Sequence, residues 1–174
     1  IEEKLINLET GDNFICNGAQ EVAGATHPIK CHKTSGHGSQ DFFIAITNSC
    51  NPAFIQIGQR LGIEKFCYYF EAFGLTEKTG IDLPGEAKSF YIDKEKMTNV
   101  DLASSSFGQA NAITPIEMIT AYAAVINGGY LLEPYVVSKV VDGEKNVILE
   151  NKRTVKRQVI SEETSATMRK ALET

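Results

Sequence analysis

The sequence predicts an α+β domain, because helical patterns fill its middle and β patterns fill its last third. Apolar residues recur at helical spacing through residues 40–130, and runs rich in valine and isoleucine follow Pro134. A polar segment rich in turn-forming residues, 1–39, precedes both. We therefore divide the chain into residues 1–39, 40–130 and 131–174, three parts of a single partial domain whose main sheet is expected to be incomplete.

The front segment is predicted to contain little regular structure. Residues 1–6 have the pattern of the tail of a helix that ends before residues 10–12, so the chain is expected to begin in the middle of an element. Short strands are expected at residues 14–16 and 29–31, where apolar residues stand between turn-forming residues.

The middle segment is predicted to begin with three helices. They are expected over residues 42–47, 52–61 and 64–73. Gly62 and Gly74 are expected to end the second and third of them, because glycine adopts the left-handed conformation that commonly follows a helix.

A loop and one more helix are expected to complete the middle segment. The loop covers residues 76–92 and includes the turn-forming pair Pro84-Gly85. Thr114 and Glu117 have the spacing of a capping box, with Pro115 at the first helical position. The apolar face of this helix is predicted to consist of Ile116, Ile119, Tyr122, Ala123 and Ile126.

The last third is predicted to contain a β-hairpin and a final helix. The expected strands cover residues 135–137, 140–141, 146–149 and 154–160. Asp142-Gly143 between two of them is a strong hairpin signal. Ser161 is expected to cap a last helix that continues to Leu172.

Composition and charge exclude several classes of protein. The chain is 43% hydrophobic and 22% charged, which is typical of a globular domain. Its net charge of −5 argues against a nucleic-acid-binding surface and against a polybasic membrane patch. No apolar run approaches the roughly 20 residues of a membrane-spanning helix.

The most informative motif is Ser49-Cys50-Asn51, which follows the apolar run 42–46. Ser-x-Asn is one of three short motifs that serine acyl-transfer enzymes acting on β-lactams use together. A structural interpretation competes with this one: Asn51 is a good N-cap and Pro52 suits the first helical position. Both interpretations place rigid polar groups at the start of a helix.

The other two motifs are not present in working positions. No Ser-x-x-Lys occurs in the 174 residues, so the chain lacks a recognisable nucleophile. The tripeptide Lys78-Thr79-Gly80 runs into Ile81-Asp82-Leu83-Pro84-Gly85, which has the composition of a surface turn. We therefore reject it as a catalytic element.

Three ordered blocks make the chain resemble the transpeptidase domain of penicillin-binding proteins. They are Gly36-His37-Gly38 through Ser49-Cys50-Asn51-Pro52-Ala53-Phe54 to Leu61-Gly62; Thr79-Gly80-Ile81-Asp82-Leu83-Pro84-Gly85-Glu86; and Phe107-Gly108-Gln109 through Thr114-Pro115 to Gly128-Gly129. The cysteine within the Ser-x-Asn motif looks most like class B, sporulation-type members. The resemblance implies part of a penicillin-binding/serine β-lactamase-like fold, mainly its helical subdomain with a β-hairpin region.

The resemblance also implies roles for particular residues. Ser49 would relay a proton and Asn51 would hold the substrate, while Gly108 and Gln109 would bind substrate by shaping the back of the cleft through close packing. The alternative for Gly108 and Gln109 is a turn that leads into a helix. The nucleophile and the catalytic Lys-Thr-Gly would come from sequence outside this chain, so the chain alone is expected to be an inactive fragment. No cofactor is implied.

The same resemblance implies partners and location. The longer protein would be a D,D-transpeptidase that cross-links peptidoglycan stem peptides and is acylated by β-lactams. It would lie at the extracytoplasmic face of a bacterial membrane, anchored there with other cell-wall synthesis proteins.

Cysteine usage leaves two possibilities for Cys50. The four cysteines are too sparse for a disulfide framework. A bond from Cys50 to Cys31 or Cys16 would constrain the geometry of the Ser-x-Asn motif, which makes Cys50 and Cys31 candidate redox residues. The alternative is a reduced, packed thiol.

Two further functions remain open from the sequence. One is a non-catalytic interaction module of the same fold, in which Ser49 and Asn51 only cap helices. The other is a small zinc-binding domain that uses Cys16, Cys31 and one of the histidines 27, 32 and 37. Because these spacings match no standard pattern of ligand pairs, we assign no metal ligand from the sequence.

Overall fold

The computed structural model describes residues 1–8, 11 and 13–173. The elements, in chain order, are β1 (Phe14–Cys16), β2 (Ala19–Gln20), β3 (Ile29–Lys30), β4 (Gly38–Gln40), α1 (Phe42–Thr47), α2 (Asn51–Ala72), a 3₁₀ turn (Lys94–Lys96), α3 (Asn99–Ser106), α4 (Pro115–Ile126), β5 (Tyr130–Leu132), β6 (Lys139–Val141), β7 (Val147–Glu150), β8 (Val155–Gln158) and α5 (Glu162–Leu172). Helices thus dominate the middle and strands the two ends.

The front segment consists of two short antiparallel strand pairs. Strand β1 pairs with β4, and β2 pairs with β3, so the chain folds back on itself twice before α1 begins. The pairing places Cys16 opposite Gly38. The strands predicted at residues 14–16 and 29–31 are therefore present.

The helix predicted for residues 1–6 is wrong. Residues 1–8 form turns and bends, and Lys4 adopts a left-handed backbone conformation with φ of 53°. Tertiary contacts hold the segment instead: the Glu2 carboxylate accepts hydrogen bonds from Ser161, and Glu3 accepts one from the Tyr69 hydroxyl and pairs with Lys65. Residues 9, 10 and 12, where the helix was expected to end, lie outside the described residues.

The predicted stop at Gly62 appears as a break within α2. Gly62 has φ of 78° and ψ of 161°, which is not helical and which side-chain-bearing residues rarely adopt. The two helices predicted over 52–61 and 64–73 are thus the two halves of α2. The helix predicted over 42–47 is present as α1, whose N-cap Asp41 accepts a hydrogen bond from the Ile44 amide.

Helix α4 begins as predicted but buries a different face. Thr114 and Glu117 form the capping box, with Pro115 in the first turn. The buried residues are Glu117, Ala121 and Ala124. The two alanines let α4 approach β5 and α5 closely, and the Glu117 carboxylate is buried in the capping box. Of the predicted apolar face, three residues are mainly exposed: Ile119 at 62%, Tyr122 at 52% and Ile126 at 46%.

Glu117→Ala is expected to destabilise the fold by about 2–3 kcal/mol in urea unfolding. The buried Glu117 carboxylate accepts hydrogen bonds from the Thr114 amide at 3.0 Å, from the Thr114 hydroxyl at 2.8 Å and from the Ser89 hydroxyl, and the substitution leaves these donors without it. Asp101→Ala, which removes the same capping position from the more exposed start of α3, should cost only about 1 kcal/mol. Equal losses in the two variants would contradict this account.

The last third differs from the prediction at its start. Residues 135–137 do not form a strand, because the amides of Val136 and Val137 donate to the Asp82 carboxylate at 2.8 and 2.9 Å instead of to a neighbouring strand. The β6–β7 hairpin, the strand within 154–160 (β8) and the helix capped by Ser161 are present. Strand β5, which pairs with β8, was not predicted.

The main hydrophobic core joins the front segment to the middle and the end of the chain. Its buried residues are Ile6, Phe14, Cys16, Cys31, Phe42, Ala45, Cys50, Ala53 and Ala171. The Ser-x-Asn motif therefore lies on top of this core, between α1 and α2. Among the described residues, no helix has the length and apolar character needed to cross a membrane.

Candidate functional site

Ser49 stands at the end of α1 in a conformation that usually belongs to glycine. Its φ is 45°, and its amide donates to the carbonyl of Ile46 at 2.8 Å while the next amide, of Cys50, donates to Ala45 at 3.1 Å. These two bonds define a Schellman motif, in which glycine is the common residue at this position. A serine held there, with its side chain exposed, points to a role for the hydroxyl, since backbone strain of this kind clusters at functional sites.

Asn51 does not cap α2, contrary to the structural interpretation of the motif. Cys50 occupies the N-cap position and makes no side-chain capping bond. The Asn51 side chain instead donates from Nδ2 to the carbonyl oxygen of Lys30 at 3.0 Å. This bond ties the start of α2 to β3 and fixes the direction of the amide, which keeps a second N–H and a carbonyl oxygen for other partners.

Ser49 and Asn51 are thus rigid polar groups on either side of a buried cysteine. The serine hydroxyl can donate and accept a hydrogen bond at the same time, as a proton relay requires. The asparagine amide can bind a carbonyl and a cation. Neither is a nucleophile with an adjacent base, so the pair cannot start an acyl transfer by itself, and its assistance to one stays a prediction.

The tripeptide Lys78-Thr79-Gly80 forms a structural turn, in agreement with its rejection as a catalytic motif. The Glu86 carboxylate accepts hydrogen bonds from the Thr79 amide at 2.7 Å and its hydroxyl at 2.6 Å, and from the Gly80 amide at 3.3 Å. Burial alone would raise the pKa of Glu86, but these bonds outweigh it and lower that pKa. Thr79 and Gly80 therefore stabilise the loop that ends at Glu86.

Gly108 and Gln109 lie at the C-terminal end of α3, and both are exposed. Their amides donate to the carbonyls of Ser105 and Ser104, which ends the helix. Apart from its two chain neighbours, no described atom lies within 4 Å of the place where a Cβ would stand at Gly108, so the expected close packing is not made within this chain. Their assignment as substrate-binding residues stays a prediction.

Beneath the motif, four potential metal ligands converge. Cys16, Cys31, His37 and Cys50 each present one ligand atom, and these atoms all lie within 4.8 Å of one another. The Cys31 sulfur lies 3.6 Å from His37 Nδ1. The three cysteines are buried and His37 is half-buried.

Tight turns bring these four residues together. Gly36 packs so closely that a Cβ there would lie 2.2 Å from the Cys16 carbonyl oxygen, so only glycine lets the loop before β4 approach the end of β1. Sequence reasoning grouped Cys16 and Cys31 with one of the histidines 27, 32 and 37 as an alternative zinc site, but it did not include Cys50 and did not single out His37. Their spacing along residues 16–50 gives no ligand signature, because strand pairing creates the site.

The thiols of the cluster differ in acidity. Burial raises the pKa of Cys50 to about 11. Burial also acts to raise the pKa of Cys16, but hydrogen bonds from the Gly18 and His37 amides, and from the Cys50 and Cys31 thiols, lower it overall. Burial, together with Lys33 and His32, lowers the pKa of His37, which favours the neutral imidazole.

The predicted redox pair Cys31 and Cys50 lies inside this cluster. All four cysteines of the chain lie in its described part, and each is present as a free thiol. The two sulfurs are within 4.8 Å of each other, so a bond between them stays a prediction that the geometry permits.

Comparison with known proteins gives consistent matches. Residues 6–174 match the family of penicillin binding protein transpeptidase domains. The chain is 41% identical over 174 residues to Stage V sporulation protein D of Bacillus subtilis (strain 168), a match that covers 99% of this chain and 26% of that protein. It is 30% identical over 129 residues to the peptidoglycan D,D-transpeptidase MrdA of Acinetobacter baumannii, covering 69% of the chain and 19% of that protein.

Solved structures support the same fold. Penicillin binding protein 3 of Mycobacterium tuberculosis, in complex with aztreonam, superposes with a TM-score of 0.86 at 22% identity, over 98% of this chain and 37% of that one. The predicted α+β fold and the family resemblance are thereby confirmed. This chain, which spans about a quarter of the length of the sporulation protein it matches, belongs to the penicillin-binding protein transpeptidase family.

Proposed function

We propose that this chain is part of a longer peptidoglycan D,D-transpeptidase and supplies one wall of its active site. The observation that carries the proposal is Ser49: a serine in a left-handed conformation, with its side chain exposed beside Asn51, in a chain that matches the transpeptidase family over residues 6–174. Neither side chain caps a helix, so fold stability alone does not explain the motif.

In the proposed reaction, a serine from a Ser-x-x-Lys motif outside this chain attacks the carbonyl carbon of a stem peptide. The acyl–serine bond forms, the amide bond breaks, and the leaving amine takes up a proton. Ser49 relays that proton, because its hydroxyl can accept from one side while donating to the other. Asn51 holds the acyl-amide carbonyl and the motif's lysine, and the Nδ2 bond to Lys30 keeps it oriented.

The substrates and partners follow from the same proposal. The longer protein would cross-link peptidoglycan stem peptides and react with β-lactams, which present a strained amide to the same nucleophile. It would work at the extracytoplasmic face of a bacterial membrane, anchored with other cell-wall synthesis proteins. The 41% identity to a protein named for sporulation supports a role in that process.

A fluorescent penicillin is expected to label the longer protein at one serine, outside residues 1–174, and to leave the 174-residue chain unlabelled. The physical reason is that the chain contains no Ser-x-x-Lys, so none of its serines has a lysine one helical turn away as a base. Intact-mass analysis and peptide mapping after incubation would give the site. Stoichiometric labelling of Ser49 in the isolated chain would contradict the assigned roles.

A non-catalytic interaction module of the same fold is the second candidate. It is favoured by the exposed apolar face of α4, formed by Ile119, Tyr122 and Ile126, and by an apolar groove of about 280 Å³. The groove is lined by residues that include Leu5, Ile6, Phe42, Ile57 and Met168. The same labelling experiment distinguishes the transpeptidase from the interaction module. If the chain is an interaction module, the penicillin should label neither the 174-residue chain nor the longer protein.

A further inference from the structure

We propose that Cys16, Cys31, His37 and Cys50 bind one zinc ion directly beneath the Ser-x-Asn motif. The four ligand atoms lie within 4.8 Å of one another and come from three different parts of the fold: the end of β1, the loop between β3 and β4, and the start of α2. Three sulfurs and one imidazole nitrogen are a common ligand set of structural zinc sites.

The spacing of the ligand atoms fits a tetrahedral site. With zinc–sulfur and zinc–nitrogen bonds of about 2.3 and 2.0–2.1 Å, tetrahedral geometry places a sulfur and a nitrogen ligand about 3.6 Å apart and two sulfurs about 3.8 Å apart. The Cys31 sulfur lies 3.6 Å from His37 Nδ1, and every other pair in the cluster is within 4.8 Å. A single disulfide would use only two of these four groups and would leave a thiol and the imidazole unused.

Groups around the cluster are arranged to support thiolates. The backbone amides of Gly18 and His37 lie near the Cys16 sulfur, where second-layer donors stand in metal–thiolate sites. The Gln40 side chain is only 2% exposed, and its Nε2 has no well-aligned acceptor within the described part of the chain. The Cys50 sulfur is within reach of this amide and would be a stronger acceptor as a metal-bound thiolate.

Charge and ligand type favour zinc over harder cations. Thiolate and imidazole ligands suit zinc, whereas magnesium and calcium take oxygen ligands. Binding releases the thiol protons and leaves the centre with a single net negative charge, close to Lys33, which acts electrostatically on His37.

The ion would also position the motif, a consequence that rests on the proposed function. Cys50 lies between Ser49 and Asn51, so a zinc–sulfur bond to Cys50 would fix the backbone from which both side chains project. The neighbouring Asn51 is separately tied to Lys30, in the strand just before Cys31. The zinc ion would therefore hold Ser49 and Asn51 in position and would not itself take part in the reaction.

The first test is metal content and coordination. The protein, purified under reducing conditions from zinc-containing medium, is expected to hold about one zinc ion per chain. Cobalt(II) added to the metal-free, reduced protein should give the d–d bands of a tetrahedral site and a thiolate-to-cobalt charge-transfer band. Zinc should raise the midpoint of thermal unfolding and EDTA should lower it. Reduced, folded protein that takes up neither metal would overturn the proposal.

Variants identify the ligands. His37→Ala should weaken zinc binding more than about 100-fold, whereas His32→Ala, which changes the exposed histidine whose ring lies 5.1 Å from that of His37, should change it little. Cys67→Ser, a partly buried cysteine outside the cluster, is a second control and should retain the metal. Cys16, Cys31 and Cys50 lie in the hydrophobic core, so replacing one of them could prevent folding. The sulfur ligands are therefore tested with the unaltered chain, by the thiolate-to-cobalt charge-transfer band. Loss of zinc on His32→Ala but not on His37→Ala would overturn the assigned ligand set.

The metal and the transpeptidase activity can be tested separately. Zinc content and cobalt spectra need no activity, so they hold or fail whatever the reaction is. In the longer protein, EDTA should slow acylation by a fluorescent penicillin and added zinc should restore it. Unchanged acylation on removal of bound zinc would contradict the positioning role alone, and peptide mapping that finds a Cys31–Cys50 or Cys16–Cys31 disulfide in the functional protein would overturn the site itself.

Discussion

Replacing Ser49 by glycine in the longer protein is expected to slow acylation by a β-lactam about 10²- to 10⁴-fold while making the fold more stable. The loss of rate follows from removing the hydroxyl that relays a proton. The gain in stability follows from the left-handed backbone at Ser49, where φ is 45°. That conformation costs a non-glycine residue about 1–2 kcal/mol, and glycine loses about 0.5–1 kcal/mol more entropy on folding, so a net gain of about 0.5–1 kcal/mol is expected.

Two further variants separate the effect of losing the hydroxyl on acylation from the effect of relieving the backbone strain on stability. Ser49→Ala removes the hydroxyl but keeps the strain, so it should show the same loss of acylation without the gain in stability. Lys145→Gly, at an exposed turn residue with φ of 67°, should show the gain in stability without the loss of acylation. Acylation would be followed with a fluorescent penicillin and stability by urea unfolding. A Ser49→Gly protein that acylates at the normal rate would remove the proton-relay role.

Asn51→Ala in the longer protein is expected to slow acylation by a similar factor, about 10²- to 10⁴-fold, with little loss of stability. The substitution removes the amide proposed to hold the substrate carbonyl. It also removes the 3.0 Å bond to the Lys30 carbonyl, which is exposed and can bind water instead, so unfolding should become easier by only about 0.5–1.5 kcal/mol. Both quantities can be measured on the same preparation.

Gln56→Ala is the matched control for Asn51→Ala. Gln56 lies on the same helix and makes the same kind of bond, from its Nε2 to the Ile15 carbonyl of β1 at 2.8 Å. It makes a second bond, to the Gln20 side chain at 3.0 Å. Gln56→Ala should therefore lose at least as much stability as Asn51→Ala and should keep its acylation rate. If both variants lose acylation in proportion to their stability, Asn51 is a structural residue only.

Local sequence patterns were sufficient for elements that depend on neighbouring residues. The capping box and the proline at the start of α4, the break at Gly62 and the Asp142-Gly143 hairpin turn all depend on backbone preferences of a few adjacent residues. These features can be predicted because the interactions that create them span four residues or fewer.

The sequence-based predictions failed where residues far apart in the chain form hydrogen bonds that local patterns do not show. The apolar pattern at 135–137 looks like a strand, but Asp82, more than 50 residues earlier, takes the amides of Val136 and Val137. Likewise, Asn51 looks like an N-cap, but the carbonyl of Lys30 takes its side chain, and Cys50 becomes the N-cap residue. In the first case a tertiary partner takes the amide donors that a strand would use. In the second case the bond from Nδ2 to Lys30 engages a side chain whose oxygen is the group that capping requires.

By itself, the sequence determined the α+β order of elements, the family resemblance and the Ser49-Cys50-Asn51 motif, because each is written in adjacent or regularly spaced residues. Only the tertiary structure showed that Ser49 is strained and that α4 buries Glu117 and two alanines rather than its large apolar residues. Only the structure gathered Cys16, Cys31, His37 and Cys50 into one cluster. The reason is that strand pairing and close packing at Gly36 set these distances, and neither leaves a periodic trace in the chain.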